Sequence, residues 1–194
     1  MRIPYVPNPP ITTDPDEQAI IKRIQDRRSP RPLQSLDLAL LHSPPVADGW
    51  NSFLGAVRTK TTLPDDVREL AISRVAVCNR AWYEWGHHAP LAVQAGVKEE
   101  AMELLKRTDL GGVKDEEREK AGLGEREWVV VRVADEMTRN VEIKEETFEE
   151  LKKWFGERQV VEVVATVAAY NCVSRFLVAL DVGERNGTGP DAGH

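Results

Sequence analysis

The stretch from Val160 to Val182 constrains the fold more than any other part of the chain. Its apolar content is almost continuous, broken chiefly by Glu162, Asn171, Ser174, Arg175 and Asp181. A helix over residues 158–182 with that pattern has to be buried nearly all round, in the domain core or in a subunit interface. Such a helix needs other helices around it, and the rest of the chain supplies them. Asp14-Pro15-Asp16-Glu17 reads as a helix start, with Asp14 as N-cap, Pro15 at the first helical position and Glu17 closing a capping box. Ser35 reads as the cap of a short helix ending near His42, before Ser43-Pro44-Pro45. Further helices are expected over residues 46–60, from Pro64 through Cys78, over 81–95 with Gly96 as a left-handed stop, and over 98–107, 125–139 and 145–155. Residues 109–124 carry glycines around a charge run and read as a solvated connection. Val129-Val130-Val131 has strand composition, but no turn residues bound it and the charges nearby recur at helical intervals. The fold class is therefore all-α.

The organisation expected is an extended Pro-rich arm and first helix over 1–32, a helical domain over 33–183, and a disordered tail over 184–194. The chain of 194 residues is long enough to bury a real core, and 41% hydrophobic with 30% charged residues is ordinary for a globular protein. The net charge of −6, with Lys and Arg scattered, argues against nucleic acid as a partner. No apolar run reads as long enough to span a membrane, and no signal peptide or lipidation motif is visible. Cys78 and Cys172 sit in apolar helical patterns and read as buried thiols, with one disulfide as the alternative. The expected location is cytoplasmic. Val67–Ala71 and Val160–Val164 align, each with one early glutamate, as a duplicated helical unit would; apolar helices also align with one another readily.

The chemistry concentrates between Glu69 and Gly96, in ELAISRVAVCNRAWYEWGHHAPLAVQAG. Glu84 and His88 stand four apart on one helix face, within hydrogen-bond reach of each other. His87 is three residues from Glu84 but turned about 100° from His88. Pro90 removes the bond to the Gly86 carbonyl, which weakens the helix beside this pair. Arg74 falls on the otherwise apolar side of its helix and suits a buried anion partner, either Glu69 or a substrate carboxylate. The Glu84-x-x-His87 spacing is that of di-iron bundles, but His42 and His194 cannot complete a second such pair, so no metal is expected.

RELAISRVAVCNRAWYEWGHHAPLAVQAGV resembles the core motif of the carboxymuconolactone decarboxylase and AhpD-like alkylhydroperoxidase superfamily, and VEVVATVAAYNCVSRFLVALDV is similar to its second helix. The resemblance covers roughly residues 33–182. It implies an AhpD-like helical bundle, association into trimers or hexamers, and a pocket for a small-molecule substrate near the motif helices. The peroxidase branch has a glutamate, a cysteine twelve positions on, a second cysteine three later and a histidine four after that. Laid from Glu69, those places hold Ala81, Glu84 and His88. Both cysteines are missing, so the branch resembled is the one lacking the redox pair, and a thiol peroxidase is disfavoured. The decarboxylase branch implies a lyase without metal or organic cofactor. On that reading His88 is the general acid/base, Glu84 orients it or shares the proton work, and Glu69 is a second candidate base facing the pocket. Arg74, Tyr83, Trp85, His87 and Tyr170 are the candidate substrate-binding residues. The contrasting expectation is a family member that keeps the oligomer and the binding site but has lost catalysis.

Overall fold

A computed structural model describes residues 1–192; His194, read above as a tail residue, lies outside them. The described residues form ten α-helices and no strand. They fall into two compact units, one of Met1–Lys60 with Leu180–Glu184, the other of Thr61–Ala179 with the segment from Arg185 onward. The division lies at Lys60/Thr61, with Leu180–Glu184 returning to the first unit.

The first unit holds α1 (Pro15–Arg28), α2 (Ser35–Leu40) and α3 (Pro44–Thr59). Asp14 caps α1 as its sequence predicts, accepting from the backbone N–H of Asp16 at 2.8 Å and of Glu17 at 3.1 Å. Glu17 does not close the box itself. Thr12 intervenes, donating to Glu17 at 2.6 Å while its hydroxyl oxygen accepts the Asp14 N–H at 3.2 Å. Ser35 is the first helical residue of α2 rather than its cap. Asp37, one turn in, reaches back to the Gln34 N–H at 2.8 Å and also takes a bidentate grip from Arg28 at 2.7 and 2.9 Å. Both members of that ion pair are buried.

The second unit is built around α4 (Asp65–Cys78), which packs on α5 (Trp82–Gln94) and on α8 (Glu125–Asn140). Every residue from Glu69 to Val77 is buried, so α4, not the C-terminal helix, is the one covered all round. Leu70, Ala76 and Val77 of α4 meet Trp85 and Ala92 of α5, and Ala101, Met102 and Leu105 of α6 (Glu99–Leu105), in one core cluster. Gly96 ends α5 with φ of +101°, the left-handed stop its position predicts.

The charge run expected to be a solvated connection is instead α7 (Asp115–Lys120). Arg118 explains why. Its side chain is only 2% exposed, and its guanidinium donates to the Leu123 carbonyl at 3.1 Å and to Glu125 at 2.6 Å. One buried arginine thus ties a short polar helix to the start of α8.

After α9 (Glu145–Trp154), α10 (Glu157–Leu180) departs from expectation in two ways. Val160, Val163, Val167, Tyr170, Ser174 and Leu177 form a buried face at three- and four-residue spacing. The opposite face, with Val161 67% exposed and Ala168, Cys172 and Ala179 also open, is uncovered among the described residues. By length and composition alone α10 is also apolar enough to cross a membrane, contrary to the sequence reading that no run approached that length. Cys172 is exposed and Cys78 half-buried, and both are free, so neither thiol is the buried one expected. The two aligned glutamates serve different ends. Glu69 is buried beside His88, whereas Glu162 accepts from the Thr62 backbone and hydroxyl at 2.8 Å each.

Candidate active site

Three helices of the second unit converge on His88. From α4, Glu69 places Oε2 2.6 Å from His88 Nδ1. With Glu69 ionised, Nδ1 is the donor in this pair, which fixes one tautomer and makes Nε2 the nitrogen for proton exchange. From α10, Tyr170 sets its ring edge-on to the imidazole, with centroids 4.9 Å apart and planes at 81°. One turn further along α10, Ser174 donates to both oxygens of Glu84, at 2.9 and 3.1 Å. The two helices therefore match in antiparallel register: residues 84 and 88 of α5 meet residues 174 and 170 of α10, each pair four apart in its own helix.

The expected Glu84–His88 pairing is replaced by two separate pairs. His88 turns to Glu69 across the α4–α5 contact, and Glu84 turns to Ser174. The exposures are 3% for Glu69, 2% for Glu84 and 7% for His88. Burial pushes the Glu84 carboxyl well above the usual carboxylate range, with the Ser174 hydrogen bond opposing the shift. Glu69 is supported on its other oxygen, Oε1, by Arg68 Nε at 3.3 Å. The site thus holds two carboxyl groups in different surroundings: Glu69 between His88 and Arg68, and Glu84, buried and bonded to Ser174.

The candidate binding residues divide. Tyr170 stands against His88. Tyr83 and His87 pair with each other instead, with ring centroids 4.4 Å apart and His87 Nδ1 2.8 Å from the Tyr83 carbonyl. His87 is thus held by Tyr83 on its own helix, turned from His88 by the one-residue offset. Trp85 belongs to the core cluster and donates its indole N–H to the Pro190 carbonyl at 3.0 Å. Arg74 is fully buried but is not the partner of Glu69. Its guanidinium binds Asp135, at 2.8 Å through Nε and closely through Nη2, and donates to the carbonyls of Leu105 at 2.8 Å and Arg107 at 2.6 Å. Those carbonyls lie at the end of α6, so Arg74 acts as a cap for that helix. Asp135 is held below the usual carboxylate range by Arg74, against the effect of its burial. Cys78 donates to Asp135 at 3.3 Å, and burial raises its thiol to about 11.

Two participants escaped the sequence reading. Ser174 appeared only as a break in an apolar run, although its position one turn from Tyr170 was visible. Arg68 gave no signal separable from the other surface arginines.

Residues 44–116 match the model of the carboxymuconolactone decarboxylase family. No curated protein matches the sequence significantly. Among solved structures, the chain is similar to an uncharacterised peroxidase-related protein from Silicibacter sp. TM1040, with a TM-score of 0.70 and 19% identity, over 95% of each chain. It is similar to the alkylhydroperoxidase AhpD core of a peroxidase-related protein from Ralstonia eutropha JMP134, with a TM-score of 0.70 and 17% identity, over 93% of this chain and 90% of that one. It is also similar to the debrominase Bmp8 in complex with 2,3,4-tribromopyrrole, with a TM-score of 0.64 and 15% identity, over 87% and 84% of the two chains. The fold is AhpD-like and all-α. The family match contains α4 and α5 but stops short of Tyr170 and Ser174 on α10.

Proposed function

We propose that this chain, matched in its motif segment to the carboxymuconolactone decarboxylase family and AhpD-like in fold, is a proton-transfer enzyme of carboxy-lyase type. The observation that carries the reading is the 2.6 Å contact between Glu69 Oε2 and His88 Nδ1. A carboxylate on Nδ1 fixes the ring and stabilises the imidazolium that forms when Nε2 takes a proton, as a general acid/base requires. In a decarboxylation, the bond to the departing carboxylate breaks and its electron pair moves into an enolate. Protonation at carbon by His88 Nε2 then completes the step. Glu84, whose carboxyl burial pushes well above the usual range, is the proposed partner of the enolate oxygen. The substrate class is a small lactone or β-keto acid.

Thiol peroxidase chemistry finds little support. The two cysteine places of the motif hold Ala81 and Glu84, and the thiol of Cys78 is raised to about 11. A second reading, a small-molecule binder without turnover, draws on the near-complete burial of Glu69, Glu84 and His88. Subunit association belongs to the proposal too, supported by the uncovered apolar face of α10.

The test is carbon dioxide release from a panel of lactone and β-keto acids. His88→Gln is expected to reduce turnover to background with unchanged helical circular dichroism. Glu69→Gln should lower it by about 10²- to 10⁴-fold, the usual range for lost acid–base assistance. Full turnover by His88→Gln rules out the assignment.

A further inference from the structure

The side of α5 away from His88 also borders a cavity. A cleft of about 350 Å³ lies against Trp85, Ala89 and Val93, centred roughly 100° around the helix from His88 by the 100° step of an α-helix. Met102 of α6 completes an apolar floor, and the chain segment Pro190–Ala192 forms one wall. The volume falls at the small end of ligand pockets, about 300–1,000 Å³.

The rim is unbalanced in charge. Glu99, Glu103 and Asp191 supply three carboxylates, and Lys106 supplies one ammonium. Lys106 bridges two of them, reaching Glu103 at 2.6 Å and Asp191 in close contact. Gly86 and Pro90 also line the cleft. Apolar floor and surplus carboxylates together favour one kind of guest.

We infer that this cleft binds a small hydrophobic amine in its ammonium form, as a site separate from the Glu69–His88 pair. The apolar body lies on Trp85, Ala89 and Val93. The ammonium takes Asp191 as its partner, and Lys106 keeps Glu103. A carboxylate guest would enter against two surplus negative charges, and a neutral guest would gain only the apolar contact. Exchange at Asp191 also loosens the segment that accepts the Trp85 indole N–H, so the guest is coupled to the placement of Pro190–Ala192.

The experiment is isothermal titration calorimetry of the full chain with 2-phenylethylammonium, 2-phenylethanol and phenylacetate. The expected result is saturable one-to-one binding of the ammonium, at least about tenfold tighter than either of the others, the equivalent of one charge-assisted contact. Asp191→Asn should weaken it about tenfold. Ala89→Leu should abolish it by filling the cleft, with circular dichroism unchanged. If Ala89→Leu fails to fold, the head-group series and Asp191→Asn still decide. Absence of ammonium binding, equal affinity for the three head groups, preference for phenylacetate, or indifference to Asp191→Asn each overturns the assignment. The readout is binding alone, so such a result leaves the proton-transfer reading standing.

Discussion

Glu84 is a carboxyl group out of water, held by a serine hydroxyl. Its folded pKa lies above the ordinary value near 4.5, because burial disfavours the charged form. The sign of the linkage follows: its contribution to stability is whole below the ordinary carboxyl pKa and is lost as pH rises through the raised folded value. The stability of Glu84→Gln relative to wild type is therefore expected to grow as pH climbs above 4.5 and then level off. Urea titrations at about pH 4, 6 and 8 read that difference, and a constant offset would contradict it. The cysteines make a second residue-scale prediction. Cys172 is exposed, while burial raises Cys78 to about 11. Iodoacetamide near neutral pH should label Cys172 in the native protein and Cys78 only after unfolding, as mass mapping will show. Among these residues, Glu69 and His88 entered the sequence reading through the resembled motif, and the structure sets them 2.6 Å apart. Their pairing was not legible. Whether His88 reaches along its own helix or across to α4 depends on how two helices pack, and one-helix geometry has no access to that.

At the scale of elements, local chemistry was readable wherever the chain completes its own hydrogen bonds. Asp14-Pro15 starts α1 and Gly96 ends α5 where the sequence places them. Elements held by side chains reaching outside the helix were not readable. The α7 helix has the composition of a loop and is fastened through Arg118, whose partners lie at Leu123 and Glu125. Arg118→Ala is expected to lower unfolding stability by about 2 kcal/mol, the range for hydrogen bonds to a charged group. Chemical denaturation reads the change; a shift under about 0.5 kcal/mol, typical of an ordinary surface site, would show that α7 is held otherwise. Arg74 follows the same logic. The sequence identified it as a buried cation, but its anion, Asp135, lies on another helix 61 residues away.

At the scale of the molecule, the roles of two helices were exchanged. The Val160–Val182 pattern reads as a helix buried nearly all round, in the core or a subunit interface; among the described residues one face of α10 is buried, and full burial goes to α4. Composition misled here because α4 carries Glu69, Ser73 and Arg74 inside the core, and α10 leaves Val161 and Cys172 outside. A second copy of the chain is the proposed cover for that face. Val161→Asp and Ala168→Glu, which place charge in its middle, are expected to reduce the light-scattering mass from a trimer or hexamer toward a monomer. A wild-type chain that runs as a monomer would count against the association.

The bond from the Trp85 indole to the Pro190 carbonyl also gives the C-terminal segment an optical signature. Trp85 is one of five tryptophans, and it alone among the described hydrogen bonds donates its indole N–H to that segment. A chain keeping only this indole would report departure of residues 190–192 as a change in emission colour, without any label added.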